Sequence, residues 1–480
     1  MKIAVKTPVG KTERGTIRNV ITQGDVFGPL LCSKQVDTFG KECLEDNKYT
    51  YIYKGEVHIP PLGMVDDLLC ISECGFKTTM LNSYMKFKTD SKKLQFGAQK
   101  CKKIHVGKYC EEFKCQSLAV DCWKEIEVKD NETGVAHIEE VCIGEEIMEE
   151  KEDEKYLGDL VSKDGRNIKN IKARINKGKG IVSKIMSILE TIPLGRHYFE
   201  IAVVLRNSLL TSSMLCNTES WYNITKAEMN LFETIDEMLL RRILGAPRST
   251  AKEMLYLELG CLPYREMVRK RRLMFLKYIL HEKQESMIYK FLEAQIKNPT
   301  VKDWVTTVRK DLHELNLSVT FAEIKKMKKG SFKTMIRKII AEKALQYLNE
   351  KKSSHSKVMN LKHEVLQMQT YLMPNKANIS KEEKQLIFCM RSEVTEVKMN
   401  FKRMYENYEC KVCDEEFETQ RHVLECTKLL NMNENSEEIS IPKYEHLLDG
   451  TPSEKINIAR LFKANMNERK KFMDKRKTNN

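Results

Sequence analysis

The spacing of apolar residues changes near residue 166, and this change constrains the fold of the chain more than any other feature. From there, apolar side chains recur at steps of three and four residues, which places them on one side of an α-helix. The first series comprises Ile168, Ile171, Ile175, Val182, Ile185 and Leu189. Pro193 and Gly195 end that helix. Further helices are predicted over 196–216, 225–244, 250–259, 263–295 and 330–350.

The first part of the chain has a different pattern. Residues 1–110 contain short β-like runs separated by turn residues, and an acidic stretch over 139–154 follows them. The expected fold class is therefore α+β. The expected segments are a sheet-containing region over 1–165, a helical region over 166–350, a helical or irregular linker over 351–403, a compact island over 404–430 and a basic tail over 431–480.

The composition restricts the class of protein. The 480 residues carry a formal net charge of +14, which favours polyanionic partners. No apolar run approaches the roughly 20 residues that span a bilayer, and the first residues lack the apolar core of a signal peptide. The 15 cysteines follow no regular framework, which is typical of reduced thiols. We expect an intracellular protein of the nucleus or cytoplasm that is neither secreted nor membrane-bound.

Two adjacent carboxylates, Asp66 and Asp67, lie between apolar runs of strand length. The pattern predicts a strand, a tight turn and a second strand, with the two acids at the turn. Two like charges side by side are tolerable when divalent cations neutralise them, as in the two-metal sites of polymerases. The alternative is an ordinary Asp-Asp turn at the surface.

Further segments flank this pair along the chain. Upstream, residues 23–31 (QGDVFGPLL) form a glycine-bracketed turn, where the backbone can approach a ligand closely. Downstream, residues 96–104 (FGAQKCKKI) join a basic cluster to a β-like run. Tyr156-Leu157-Gly158 then precedes the basic amphipathic helix.

In this order and spacing, the segments resemble the reverse transcriptase palm of non-LTR retrotransposons. The resembling segments are residues 23–31 for the family's motif B, Met64-Val65-Asp66-Asp67 for the catalytic motif C, residues 96–103 for motif D and residues 156–165 for motif E. Residues 231–241 (LFETIDEMLLR) and 255–260 (LYLELG), with Arg271-Arg272-Leu273 after them, are similar to the helical thumb of the same elements.

The resemblance implies a fold and a set of roles. The chain would be an α+β protein in which an incomplete palm, an antiparallel sheet with helices, precedes a helical thumb and a zinc-knuckle-like module. Asp66 and Asp67 would hold Mg²⁺, and Lys100 would lie near the departing pyrophosphate. The residues implied to contact the nucleotide or the template are Gln23, Gly24, Lys169 and Lys172.

The chain also departs from the family pattern. In the family, an aspartate on an earlier strand, motif A, completes the metal site. Only 22 residues precede Gln23, and none is placed like that strand. Because metal affinity depends on the number and charge of the ligands, Asp66 and Asp67 alone should bind Mg²⁺ weakly. The expectation is a truncated RNA-directed DNA polymerase without activity, which binds Mg²⁺ only if its site is complete.

The alternative to this enzyme lineage is a non-catalytic nucleic-acid-binding remnant that uses basic helices and a zinc module. Both interpretations take RNA and DNA as partners, either as template and primer or as bound polyanions. In the genomic sequence before Met1, an in-frame strand with an aspartate, preceded by a fingers region, would favour the enzyme. A stop codon or unrelated sequence there would favour the remnant. The oligomeric state stays open.

A second site is predicted within residues 404–430. Cys410 and Cys413 are separated by two residues, which suits a tight turn, and His422 and Cys426 by three, which places them on one helix face. Four such ligands fit a closed tetrahedral Zn²⁺ site, and the island is too short to bury a core without one. The run Glu418-Thr419-Gln420 resembles the segment before the histidine in the family's zinc knuckle. The alternative is three scattered cysteines and a surface histidine.

Weaker patterns give three further expectations. The basic cluster Arg269-Lys270-Arg271-Arg272 would contact phosphates, act as an import signal or remain solvated. His355 and His363 have no partners at metal spacing and are expected at the surface. Phe417 and Val423 or Leu424 would cover one side of the zinc ion.

Overall fold

The structure is a computed structural model. It describes residues 2–3, 6–7, 10–11, 15–16, 28–46, 50–64, 67–72, 75–91, 97–106, 129–130, 136–137, 142–143, 146–191, 195–355, 358, 361, 363–374, 379–400, 407–432 and 443–478. Unit 1 lies within residues 1–166 and 282–300, and unit 2 lies within residues 167–281 and 301–480. The described fold is α+β and mostly helical.

The helices are α1 (Gly28–Asp46), α2 (Gly75–Ser91), α3 (Ile168–Thr191), α4 (Tyr198–Leu205), α5 (Ser212–Met214), α6 (Lys226–Leu244), α7 (Lys252–Leu259), α8 (Tyr264–Ile279), α9 (Met287–Lys297), α10 (Trp304–Glu314), α11 (Phe321–Lys326), α12 (Lys329–Ser353), α13 (Lys381–Arg391), α14 (Gln420–Glu425), α15 (Thr427–Met432), α16 (His446–Asp449) and α17 (Pro452–Thr478). A π-helical turn (Arg206–Thr211) joins α4 to α5. Within the described residues, no helix is both long enough and apolar enough to cross a membrane.

The strands are β1 (Lys2–Ile3), β2 (Lys6–Thr7), β3 (Gly10–Lys11), β4 (Gly15–Thr16), β5 (Tyr51–Tyr53), β6 (Val57–Ile59), β7 (Leu62–Met64), β8 (Asp67–Leu69), β9 (Lys102–Lys103), β10 (Lys129–Asp130), β11 (Ala136–His137), β12 (Cys142–Ile143), β13 (Glu146–Ile147), β14 (Glu149–Glu150), β15 (Asp153–Tyr156) and β16 (Asp159–Ser162). All of these described strands belong to unit 1.

Unit 1 contains strands that pair two by two. The antiparallel pairs are β1–β4, β2–β3, β5–β6, β7–β8, β10–β11, β12–β13 and β15–β16, and the parallel pair is β9–β14. The described strands therefore form separate ladders, and not the larger antiparallel sheet that the palm resemblance implies. A small core of Cys43, Leu81 and Met85 joins α1 to α2.

The hairpin predicted around the two aspartates forms from β7 and β8. Leu62 pairs with Leu69, and Met64 pairs with Asp67, in antiparallel register. Asp67 is exposed at the start of β8, and Asp66 lies outside the described residues. The strand–turn–strand prediction is therefore confirmed for the two strands.

Unit 2 packs its helices around one extended apolar core. In the apolar series that predicted α3, four residues are buried in the structure: Ile171, Val182, Ile185 and Leu189. α3 lies close to α6 at Gly178, where an added Cβ would lie 2.8 Å from Ile235 Cγ1. Burial of one apolar side, more than helix propensity, holds such a helix in place.

α6 has clear signals at both ends. The Thr225 side chain accepts a hydrogen bond from the Glu228 backbone N–H (3.1 Å), and the Glu228 carboxylate accepts one from the Thr225 N–H (2.8 Å). Gly245 follows the helix with a φ of 62°, a left-handed conformation that glycine adopts without a Cβ clash. The predicted range of 225–244 is confirmed.

One predicted helix is in fact two. The range 263–295 divides into α8 and α9, and the chain leaves the helical conformation after Ile279. α9 belongs to unit 1, where the Phe291 ring lies 5.0 Å from the Tyr53 ring. The prediction was wrong because apolar spacing shows that one side is buried, but not which partner buries it.

Candidate metal centre

Cys410 and Cys413 lie in a tight turn. The Cys410 N–H donates to the Glu416 carbonyl (2.7 Å), and the Asp414 N–H donates to the Cys410 carbonyl (2.7 Å). Asp414 adopts a left-handed conformation with a φ of 58°. Both thiols are buried, so the turn directs them inward.

His422 and Cys426 are positioned by the short helix α14. Thr419 caps this helix, because its hydroxyl oxygen accepts a hydrogen bond from the His422 N–H (3.0 Å). The Cys426 N–H donates to the His422 carbonyl (2.7 Å), so the cysteine completes the last turn. Its side chain therefore lies one turn beyond the histidine, on the same side.

The four side chains converge. Cys410, Cys413, His422 and Cys426 are all buried, and one potential ligand atom from each lies within 4.8 Å of the others. His422 Nε2 lies 3.4 Å from Cys413 Sγ. Three sulfurs and one imidazole nitrogen complete a four-coordinate shell and leave no position for water or substrate. The cluster can therefore hold a metal ion in a structural role.

A carboxylate orients the histidine. His422 Nδ1 lies 2.9 Å from Glu416 Oε2. This contact favours the proton on Nδ1, which leaves the lone pair of Nε2 facing the thiols. Coordination through Nε2 requires this tautomer.

The thiols differ in their electrostatic surroundings. Burial raises the pKa of the Cys410 thiol to about 11, and burial followed by the nearby Cys413 raises that of Cys426. Burial acts on Cys413 in the same direction, but backbone N–H groups, including those of Glu415 and Glu416, outweigh it and lower its pKa. A cation at the centre would stabilise all three thiolates.

The island is part of the core of unit 2. Val423 and Leu424 belong to the same apolar cluster as α13 and α17. The Gln420 side-chain amide donates to the Met390 carbonyl (3.0 Å). The island was expected to be too short to bury a core of its own. Its apolar side chains instead share the core of the neighbouring helices. Phe417 is 59% exposed, so the prediction that it covers the ion is wrong.

The predicted basic tail includes α17, which packs against the metal centre. The Asn465 amide donates to the Val423 carbonyl (2.8 Å). The Arg469 guanidinium pairs with Glu418, whose side chain is completely buried (Nη2–Oε1 2.8 Å). This ion pair neutralises the buried carboxylate of Glu418, the first residue of the Glu-Thr-Gln run. Arg469 therefore has a partner within unit 2.

Two residues of the expected polymerase site are described. Asp67 is exposed, and the pKa of Tyr156 is raised by burial and further by the nearby Asp67. Lys100 is exposed in a 3₁₀ turn (Ala98–Lys100). The residues that lie outside the described part of the chain are Gln23, Gly24 and Asp66.

The two lysines assigned to template contact both lie on α3. Lys172 is exposed, whereas Lys169 is half-buried. Three lysines that were not assigned a role are also exposed on this helix: Lys177, Lys179 and Lys184. The apolar spacing of α3 already places them away from the buried side.

The expectation for His363 is wrong, and that for the basic cluster fails for Arg269 and Arg272. His363 is 6% exposed, and its Nε2 lies 3.0 Å from Glu258. In the basic cluster, Arg269 and Arg272 both pair with Asp311 of α10, at 3.3 and 2.7 Å. These arginines are neutralised inside unit 2 by a carboxylate that lies about forty positions away in the sequence, so the local charge pattern did not reveal it.

No family model matches this sequence, and no curated protein matches it. Support for a function therefore comes from the chemistry of the described residues and from the motifs quoted above. The two strongest features are the buried Cys–His cluster and the exposed lysines of α3, and each can be tested on the full chain.

Proposed function

We propose that the chain binds RNA or single-stranded DNA through phosphates and derives from the non-LTR reverse transcriptase lineage, with Zn²⁺ stabilising its helical unit. The proposed lineage rests on the order of the resembling motifs. The proposed binding rests on one observation, a surface of α3 named here the lysine face. It consists of Lys172, Lys177, Lys179 and Lys184.

The lysine face has two rows. At about 100° per residue, Lys172 and Lys179 lie along one edge, and Lys177 and Lys184 lie along the other. The residues between the rows are small or polar and exposed: Ala173, Asn176, Gly180, Ser183 and Ser187. Small side chains between two rows of cations allow a phosphate backbone to approach the helix closely.

Few carboxylates compete for these lysines. α3 contains one acidic residue, Glu190, near its C-terminal end. Within the described residues, the four lysines form no ion pair with a carboxylate, and the Lys179 ammonium donates to the Asn176 side chain (3.4 Å). Such a surface favours phosphate contacts that carry little sequence information and weaken with salt.

The first test measures nucleic-acid binding by fluorescence anisotropy with RNA and single-stranded DNA of one sequence. The affinity should fall as the salt concentration rises. Lys177→Glu with Lys184→Glu should weaken binding by about tenfold or more, because phosphate contacts become repulsions. The control is Lys310→Glu with Lys463→Glu, exposed lysines of α10 and α17, which lowers the net charge equally.

The control should retain most of the affinity. Equal losses in the two double variants would attribute binding to net charge alone and contradict a role for the lysine face. Absence of binding by the wild type at low salt would reject the proposed function. Thermal melting followed by circular dichroism shows whether each variant remains folded.

The second test concerns the ion. Thiolates and a neutral imidazole are the ligands that Zn²⁺ prefers. The purified full chain should carry one zinc ion, and Co²⁺ in its place should give the intense visible absorption of a tetrahedral thiolate site. Cys413→Ser should reduce or shift that absorption, whereas Cys216→Ser, at an exposed cysteine, should not. A metal-free chain that ignores both ions would contradict the site.

Template-directed DNA synthesis is a second candidate, favoured by the β7–β8 hairpin that carries Asp67. None of the 22 residues before Gln23 is placed like the motif A strand, so we expect no primer extension by this chain with Mg²⁺ or Mn²⁺. Extension on an RNA template that Asp66→Ala and Asp67→Ala abolish would instead establish a polymerase.

A further inference from the structure

Helices α8 and α12 pack side by side in opposite directions. At one end, the Arg265 guanidinium lies over the Tyr347 ring, 5.2 Å from its centroid. At the other end, Lys277 Nζ lies 6.0 Å from the centroid of the Phe332 ring. The middle of α8 therefore faces the first half of α12.

Cations gather along this stretch. Burial lowers the pKa of Lys270, and the neighbouring Arg337, Lys333 and Arg271 lower it further. Within the described part of the chain, Lys270, Lys333 and Arg337 form no ion pair, whereas Arg271 pairs with Glu219 (3.2 Å). The positive potential between α8 and α12 is thus left for an external anion to neutralise.

An aromatic ring extends the same side of α8. Lys270, Met274 and Tyr278 follow one another at four-residue steps, which places them in one row. Tyr278 is 50% exposed, and its ring is nearly parallel to that of Phe275 (centroids 6.0 Å apart, 9° between planes). Phe275 also meets the Trp304 ring edge-on at 5.8 Å. The Tyr278 ring is therefore packed against Phe275 and still has exposed surface.

We infer that α8 and α12 bind single-stranded nucleic acid through a stacking surface, which consists of Lys270, Arg271, Tyr278, Lys333 and Arg337. The cations contact phosphates, and Tyr278 stacks on a base. A duplex offers phosphates but keeps its base faces stacked inside, and an acidic peptide offers charge but no base. The inference rests on the proposed function and adds the form of nucleic acid that this surface selects.

The test uses the full chain and three probes of equal length: oligothymidylate, an abasic oligomer with the same phosphates, and a duplex. The wild type should bind oligothymidylate most tightly. Tyr278→Ala should weaken that binding by about fivefold or more, the lower end of the range for one base–aromatic stack. Binding of the abasic oligomer should not change, because it has no base to stack. Tyr278→Phe keeps the ring and should bind as the wild type does.

The cations are tested separately. Lys333→Glu with Arg337→Glu should weaken binding of all three probes, because every probe presents phosphates. Lys310→Glu with Lys463→Glu again serves as the control with the same change in net charge. A loss no larger than that of the control would overturn the assignment of the cations.

Two results would overturn the stacking role: wild-type affinity of Tyr278→Ala for oligothymidylate, or an equal loss of affinity for the abasic oligomer. Failure of the proposed function looks different, because the wild type would then bind none of the probes at low salt. If reversal of Lys177 and Lys184 weakens binding while Tyr278→Ala changes nothing, only the stacking surface is rejected. Melting curves identify any unfolded variant. If Tyr278→Ala is unfolded, Tyr278→Leu replaces it and is compared with Tyr278→Phe.

Discussion

At the scale of single residues, Glu258 is one of the completely buried charges described in unit 2. Its carboxylate is completely buried and accepts hydrogen bonds from Arg391 (3.0 Å), from Tyr371 (2.7 Å) and from His363 (3.0 Å). Arg391 also donates to the Leu447 carbonyl (2.7 Å). The network joins segments that lie far apart in the sequence, so each polar group depends on partners that local structure does not supply.

Glu258→Gln should destabilise the chain by about 3–5 kcal/mol at neutral pH, because Arg391 would remain buried without a counter-charge. Burial alone would raise the pKa of Glu258, but Arg391 and His363 lower it from 4.5 to about 2. The stability contributed by this carboxylate is therefore fully present above about pH 4.5 and is lost as the pH falls through about 2. Urea unfolding at several pH values should show the difference between wild type and variant shrinking below pH 4.5.

The matched control for this prediction is Glu342→Gln. Glu342 is 62% exposed and lies 4.0 Å from Lys338, so the change should cost less than about 1 kcal/mol. A difference between wild type and Glu258→Gln that stays constant from neutral pH to pH 3 would contradict the assigned role of the ionised carboxylate.

At the scale of elements, the approach of α3 to α6 depends on a glycine. A Cβ at Gly178 would lie 2.8 Å from Ile235 Cγ1 and 3.1 Å from Met214 Sδ. At Gly180, two residues later on the same helix, an added Cβ would meet no atom within 4 Å. The two glycines therefore separate the effect of close packing from the effect of helix propensity.

Gly178→Val should destabilise unit 2 by about 1–3 kcal/mol, because the added methyl groups overpack the contact between α3 and α6. Gly180→Ala should instead stabilise it by up to about 1 kcal/mol, because alanine favours the helical conformation. Chemical denaturation measures both variants. A destabilised Gly180→Ala, or a Gly178→Val with unchanged stability, would show that α3 packs differently.

At the scale of the whole molecule, the metal centre and α17 stabilise each other through hydrogen bonds and a shared core. Asn465 and Arg469 of α17 contact Val423 and Glu418 of the centre, and Arg476 donates to the Lys411 carbonyl (3.1 Å). An ion at the centre would therefore stabilise a helix that contributes no ligand to it, because both share one apolar core.

Removal of the ion should loosen α17. In hydrogen–deuterium exchange, a chelator or Cys413→Ser should increase amide exchange over residues 456–472, while α3 should retain its protection. Cys216→Ser with metal bound should behave as the wild type. Unchanged protection of α17 in the metal-free chain would mean that apolar packing alone holds the helix.

From the sequence alone, the helices α3, α6, α7 and α12 and the hairpin of Asp67 could be predicted, whereas α10, α13 and α17 were not. The Cys–His spacing identified the four residues that converge. These features depend on short-range geometry: the 3.6-residue period of a helix, the alternation of a strand and the reach of two ligands across a tight turn. The Gly245 end of α6 is of the same kind, because it requires only a left-handed residue after the last turn.

The tertiary structure alone decided which charges are neutralised and which remain exposed. His363 turned inward because Glu258 is buried next to it, and Arg272 is held by Asp311, whereas Lys270 in the same basic cluster meets other cations. Likewise, the break after Ile279 follows from α9 packing in unit 1. Local spacing determines which side of an element is apolar, but the partner of a buried charge comes from a distant segment, and only the packing of elements brings the two together.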